Sequence, residues 1–197
     1  NLGQAFKVFA AENNAFSEVM WFYHIGEGNT EVTNYVSYNY AEDLWSVGTL
    51  DRGAWQGVGT QNFPMATSVN NDTSAANYLY YHENGFDDDG SAMTAFVESG
   101  DLELQEGERF MMVSRIIPDF AFSGATSDAS ISMTMKGSDF PLETPTTLST
   151  STITNSSTQS FIRARSRHQI VRVESSGLGY GWRLGDLRFD IRPDGRR

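Results

Sequence analysis

Hydrophobic positions along the chain recur with period two in short runs broken by turn residues, a pattern that predicts strands rather than helices. Val19-Met20-Trp21-Phe22-Tyr23 is apolar at every position and reads as a central strand covered on both faces. Glu27-Gly28-Asn29 follows as a turn, and Tyr35-Val36-Ser37-Tyr38-Asn39-Tyr40 then alternates, with Val36, Tyr38 and Tyr40 on one face. Ala41-Glu42-Asp43 returns the chain into Leu44-Trp45-Ser46-Val47-Gly48. The run Tyr78-Leu79-Tyr80-Tyr81-His82-Glu83 closes on Asn84-Gly85, a hairpin signal because both residues tolerate positive φ. Short antiparallel strands at this spacing predict β-propeller blade structure over residues 1–90. A single short helix is expected, near residues 4–12.

Beyond Gly90 the texture becomes that of a β-sandwich, over residues 91–197. Asp101-Leu102-Glu103-Leu104 and Ile131-Ser132-Met133-Thr134-Met135 alternate cleanly, while residues 110–117 are apolar on both faces and stop at Pro118. Residues 144–160 carry 12 Ser or Thr and no charge, and read as an insertion: a long connection or mobile hairpin outside the core. In residues 161–174, Arg163, Arg165 and Arg167 share one face and Ile162, Ala164 and Ser166 the other. Val171 and Val173 then fall in register with the arginines, which predicts a β-bulge or tight turn near His168-Gln169. The same parity flip occurs at Gly185-Asp186. The fold class expected is therefore all-β: antiparallel propeller blade structure followed by a sandwich-like region.

Composition narrows the chemistry. Hydrophobic residues at 39% can build a core, and the absence of cysteine excludes disulfides, thiolate metal sites and thiol catalysis within these 197 residues. No apolar run approaches the ~18–20 residues of a membrane-spanning helix, and no basic-then-apolar leader is read at the start, where residue 1 is Asn. A soluble, acidic, aromatic-rich β protein is expected.

The net charge of −11 hides a split, −16 over residues 1–160 and +5 over 161–197, where every cation is Arg. Arginine forks suit fixed pairing with carboxylates. Three uses remain open for this end: a salt-bridged strand face, docking onto another protein, or nucleic-acid binding, the last disfavoured by the acidic remainder. Guanidinium groups on alternate positions lie about 6–7 Å apart and repel. At least one of Arg163, Arg165 and Arg167 is thus expected to pair with an acid of residues 1–160 or of a neighbouring subunit.

Catalytic motifs are sparse. His24, His82 and His168 are scattered and read as structural; His82-Glu83 lacks the second histidine of a zinc-protease helix. Gly53-x-x-x-Gly57-x-Gly59 departs from the dinucleotide fingerprint and reads as a loop. No Gly-x-Ser-x-Gly elbow is present. Asp87-Asp88-Asp89-Gly90 reads as an acidic surface loop, with calcium as the alternative. The sequons at Asn71 and Asn155 would matter only in a secreted eukaryotic chain. No catalytic residue, metal or cofactor is assigned.

Several stretches, taken in order, resemble one family: Glu18-Val19-Met20-Trp21-Phe22-Tyr23; Tyr38-Asn39-Tyr40 with Trp45-Ser46-Val47-Gly48; His82-Glu83-Asn84-Gly85; Arg115-Ile116-Ile117-Pro118-Asp119-Phe120; Trp182-Arg183-Leu184-Gly185; and Asp190-Ile191-Arg192-Pro193-Asp194-Gly195-Arg196-Arg197. Together they are similar to the C-terminal part of the tail hub, or nozzle, proteins of short-tailed bacteriophages, also called packaged-DNA stabilisation proteins. The likeness spans most of residues 16–197 apart from the Ser/Thr-rich insertion. It implies a non-catalytic virion protein of the phage tail, with a propeller in each subunit, assembled in a ring, usually a hexamer. Its partners would be the portal, the adaptor and a tail fibre or needle, and double-stranded DNA would pass through without specific binding. A propeller needs at least ~4 blades, so this chain, with one or two, is expected to be the C-terminal piece of a longer polypeptide or a protein whose missing blades come from elsewhere. A carbohydrate-binding β module serving receptor recognition is the alternative, because exposed Tyr and Trp stack on sugars, although Trp21, Trp45 and Trp182 sit in core-like patterns and the exposure of Trp55 discriminates. A glycosidase or depolymerase is the remaining class, with no residue pair marked out.

Overall fold

The computed structural model describes residues 6–26, 31–69, 78–125 and 127–195. Among these the regular structure is antiparallel β, apart from short 3₁₀ turns such as Asn14–Phe16. Among the described residues no sheet closes into a barrel. The chain divides into two units, Asn1–Asn84 and Gly85–Arg197, each with its own core. The turn read at residues 27–29, the sequon at Asn71 and the last two arginines lie outside the described residues.

In the first unit β1 (Phe9–Asn13), β2 (Glu18–Tyr23), β3 (Asn34–Asn39) and β4 (Leu44–Thr49) form one sheet in sequence order. β5 (Arg52–Gln56), β6 (Met65–Ser68) and β7 (Leu79–Tyr81) form a second. The expected helix is instead strand β1: Phe9 and Ala11 face the core, and five residues pair with β2 from Phe9↔Phe22 to Asn13↔Glu18. Tertiary pairing overrides a weak local preference. The β3–β4 hairpin follows the Ala41-Glu42-Asp43 turn as read. Asn39 Oδ1 accepts the N–H groups of Ala41 and Glu42, both at 3.0 Å, and Asp43 takes a left-handed φ of 57°.

Met20 and Phe22 of β2 are buried among Val32, Val69, Phe9, Tyr35 and Trp55, with Phe9 stacked on Phe22 at 4.7 Å. The double cover expected for this strand is not what forms. Val19, Trp21 and Tyr23, on the opposite face, remain half-buried. Two further expectations are corrected. Gly53 lies within β5 rather than a loop, with the Ala54 N–H donating to Thr67 Oγ1 at 3.0 Å. Asn84-Gly85 joins no two strands of one sheet but lies where one unit ends and the other begins; Gly85 does use a positive φ, 99°.

The second unit contains β8 (Ala95–Glu98), β9 (Leu102–Glu103), β10 (Met111–Ile117), β11 (Phe120–Gly124), β12 (Ser130–Ser138) and β13 (Thr146–Thr154). They are followed by β14 (Ser160–Ser166), β15 (His168–Ser175), β16 (Tyr180–Leu184) and β17 (Arg188–Pro193). One sheet runs β13-β12-β15-β8, with β9 also on β15; another runs β14-β10-β17; β11 and β16 form a two-stranded ribbon. Val113 and Ile116 of β10 and Ile162 and Ala164 of β14 share one core with Ile131, Met133 and Met135 of β12, Ile153 of β13, and Val171 and Val173 of β15. Two sheets thus pack on one apolar layer.

Residues 144–160 are not a peripheral connection. Most of them form β13, paired with β12 from Ser130↔Thr154 to Gly137↔Thr146, and Ile153 is fully buried while Leu148 packs on the core. Threonine is β-branched and fits a pleated surface, so a Thr-rich run without charge reads as loop by composition yet folds as strand.

Both parity flips are changes of sheet rather than a bulge within one, the first made through a bend at Arg167 that answers to the tight turn expected there. β14 pairs with β10 and turns Ile162, Ala164 and Ser166 inward; one residue later β15 pairs with β12 and turns Gln169, Val171, Val173 and Ser175 inward. Likewise β16 pairs with β11 and β17 with β10, and the Gly185 N–H donates to Asp119 O across the break. Register shifts within a sheet of this unit lie elsewhere, between Val113 and Arg115 of β10 and between Met135 and Lys136 of β12. Close approach at the first corner demands glycine at 137, because a Cβ there would overlap Ser166 and Leu148. Gly137→Ala should destabilise the second unit by about 1–3 kcal/mol, read as a lower midpoint in urea with unchanged slope; an unchanged midpoint would show that the corner is loosely packed.

Candidate functional site

The arginine row predicted from sequence lies on the outer face of the β14-β10-β17 sheet, but its members are not equivalent. Arg165 Nε donates to Asp194 Oδ2 at 2.5 Å and its guanidinium lies 4.0 Å from the centre of the Phe110 ring. Arg167 lies 4.9 Å from the same ring and donates to the carbonyls of Gly107 and Glu108, both at 3.3 Å. Phe110 thus carries two guanidinium groups. The carboxylate that Arg165 holds comes from the arginine-rich end itself, not from residues 1–160. Arg163 is exposed and has no ion pair among the described residues.

Cross-strand register brings further cations to this face. Met112 lies opposite both Arg165 and Arg192, Arg115 opposite both Phe161 and Asp190, and Ile117 opposite Arg188. Arg115 Nε donates to Asp190 Oδ2 at 2.7 Å. Arg188 and Arg192 are exposed and, like Arg163, without an ion pair among the described residues. The period-two spacing 188, 190, 192 was visible in the sequence; that these positions lie beside β10, and so near Arg163, was not.

The other sheet of this unit is balanced. Glu98 accepts from Lys136 Nζ at 2.6 Å and from Arg172 at 3.4 Å, and Arg172 also pairs with Glu174 and covers the Phe96 ring at 3.8 Å. The Lys136 and Arg172 donors hold the Glu98 carboxyl below its usual range. A carboxylate whose pKa is depressed by folding adds stability that is present above its unfolded value and lost as pH falls through the folded one. In the first unit Glu18 runs the other way: burial, and then the nearby Glu83, raise its pKa, so its charged form opposes folding as pH rises through the carboxylate range. Acidification from neutral should therefore weaken the second unit at Glu98, and Glu98→Gln should flatten that part of its stability profile, followed through Trp182 fluorescence. An unchanged profile in the variant would refute the role given to this cluster.

In the first unit the outward face of the β1-β2-β3-β4 sheet is aromatic. Trp21 stacks on Trp45 at 5.8 Å, Tyr38 lies tilted against Trp45 at 4.7 Å, and the Tyr38 hydroxyl donates to Asp43 Oδ1 at 3.0 Å. Trp45 is 64% exposed and Val47 76%, so the core position predicted for Trp45 is wrong: β4 is an edge strand with little over it. Trp55, by contrast, is half-buried and packs against the core beside Phe22 and His82, its Nε1 donating to Glu12 O at 3.0 Å. Trp182 packs on the second core and donates to Ser175 Oγ at 2.8 Å.

The three histidines differ in their surroundings. His82 Nε2 accepts from Arg52 Nε at 3.1 Å, which places its proton on Nδ1. His24 is half-buried. His168 contacts Glu103 at 3.1 Å in a cleft that also holds Asp101 and Glu143, and Glu143 is committed to the turn it caps, accepting from the N–H groups of Asp139 and Phe140. Asp87 caps a tight turn by accepting from the Gly90 N–H at 2.9 Å, while Asp88 bridges Ser91 through the backbone. Among the described residues no three His, Cys, Asp or Glu side chains group as a metal would require. No described helix is long and apolar enough to cross a membrane. No protein-family model matches the chain, and a search of curated proteins finds no match.

Proposed function

We propose that this protein is a structural subunit of a virion, part of the tail hub or nozzle ring through which a short-tailed phage retains and ejects its DNA. The observation that carries this reading is the β1-β2-β3-β4 sheet, a four-stranded antiparallel meander of the kind that builds propeller blades, with one face packed and an aromatic second face half-open. A large apolar face left open marks a surface made to be covered. The order of the motifs resembling tail hub proteins and the charge split support the same reading. An acidic wall repels phosphate and lets DNA slide, while arginines serve contacts between proteins. Arg163, Arg165 and Arg167 are assigned to the region of subunit contact, in a sixfold ring bound to portal, adaptor and fibre or needle proteins. The second unit, two sheets on one core, is read as a sandwich-like support. No catalysis and no cofactor belong to this role.

Mass spectrometry of purified virions tests the proposal. The chain should appear at a copy number that fits a ring, and antibody labelling should place it at the tail; its absence from virions would refute the assignment. A second reading, carbohydrate binding, is favoured by one feature, the exposed Trp45 ring beside Tyr38 and Asp43. Trp55, half-buried and packed against the first core, offers less ring surface to a sugar. Retention on a glycan array that disappears in Trp45→Ala would promote that reading.

A further inference from the structure

Of the arginines the sequence put in one row, only Arg163 is exposed without an ion pair among the described residues, and the fold brings Arg188 and Arg192 to the same sheet face. The outer face of the β14-β10-β17 sheet carries Arg163, Arg165, Arg115, Arg188 and Arg192 around Met112 and Ile117, with Asp190 as the one acid among the outward positions of its strands and Asp194 just beyond. Those two carboxylates are taken by Arg115 and Arg165. Arg163, Arg188 and Arg192 remain exposed with no ion pair among the described residues, and Phe161 on the same face is 73% exposed. The neighbouring sheet shows how this chain treats an arginine meant for its own surface: Arg172 is held by Glu98 and Glu174.

We propose that this face, centred on Arg163, Arg188 and Arg192 with Phe161 at its rim, docks onto a carboxylate-bearing surface of a second copy of the chain. The proposal rests on the reading of the protein as an assembling subunit and gives that contact its residues and chemistry. Unpaired guanidinium groups gathered on one sheet face give it a positive potential, and their planar forks match carboxylates bidentately. Arginine with an exposed aromatic is also the composition that interfaces favour. Charge complementarity selects the partner. Residues 1–160 carry −16, so a second copy offers the counter-charges, and Asp88, Asp89, Glu106 and Glu108 are all exposed. A nucleic acid would meet the same acidic remainder as repulsion. The face cannot pair with itself, since that would oppose arginine to arginine. The contact is therefore head-to-tail, the type that closes into a ring or runs on as a filament.

Sedimentation velocity of the 197-residue chain at low and high salt tests this. Association is expected at low salt and should weaken as salt rises. It should weaken by at least roughly tenfold in Arg163→Glu/Arg192→Glu, with circular dichroism unchanged because both side chains are exposed. Arg163→Lys/Arg192→Lys, which keeps charge but loses the forks, should fall between. A short DNA duplex added to the wild type should stay unbound. A wild-type chain that is monomeric at low salt, or association indifferent to charge reversal, overturns the proposal. Salt-sensitive duplex binding that is lost in the Glu variant overturns it in favour of nucleic acid. Absence of the chain from virions would refute the tail assignment while leaving this self-contact measurable.

Discussion

Phe22→Ala is expected to destabilise the first unit by about 3–5 kcal/mol, the range for deleting a buried aromatic ring. Phe22 has no exposed surface and lies within 6.0 Å of three other rings, Phe9, Tyr35 and Trp55. Its removal leaves a cavity that rigid aromatic neighbours cannot close. The two units have separate cores, and tryptophans report on each: Trp21, Trp45 and Trp55 in the first, Trp182 in the second. A urea titration should therefore show the first-unit signal move to much lower denaturant, while Tyr180 and Trp182 keep their native near-ultraviolet signal longer. A shift of less than about 1 kcal/mol would mean that the core around Phe22 is loosely packed.

Gln169→Leu is expected to cost about 2–4 kcal/mol, because burial of a polar group is tolerable only while its partners are satisfied. Gln169 is fully buried, and its Nε2 donates to Met111 O at 3.0 Å and to Ala164 O at 3.2 Å. Leucine has nearly the right volume but strands both carbonyls. The change also removes Gln169 Oε1, which has no partner, so the loss should fall short of two full unsatisfied groups. Thermal unfolding of the second unit measures the effect. A variant as stable as wild type would show that Gln169 is packing material and not the tie between the sheets.

How much of this was legible from residues alone depends on what each signal reports. Alternation over residues 131–135 predicts a half-buried strand, and β12 is one, because period two is a property of the pleat itself. The Ala41-Glu42-Asp43 turn was readable because Asn39 caps it locally. The parity flips at His168 and Gly185 were visible, but their meaning was not: a bulge and a change of sheet leave the same trace in one strand, and the difference lies in which strands sit alongside. Residues 144–160 misled because composition reports solubility while Thr also favours strands. At the candidate site, Arg163 was found and the internal partners of Arg165 and Arg167 were not. Asp194, Phe110 and Gly107 lie 29, 55 and 60 positions away, beyond any local pattern. Trp45 read as core because hydrophobicity marks what ought to be covered, without saying by which chain.

The passage from β14 to β15 through a single residue means that one covalent segment belongs to both sheets of the second unit. A load applied to either sheet is passed on through backbone bonds, with Gln169 hydrogen-bonded to β10 and β14 at the point of transfer. Neither sheet can peel open while the other keeps its register, since loss of the β14–β10 ladder frees the residue that anchors the start of β15. In the tail conduit proposed above, such a shared strand would make the wall yield as one piece.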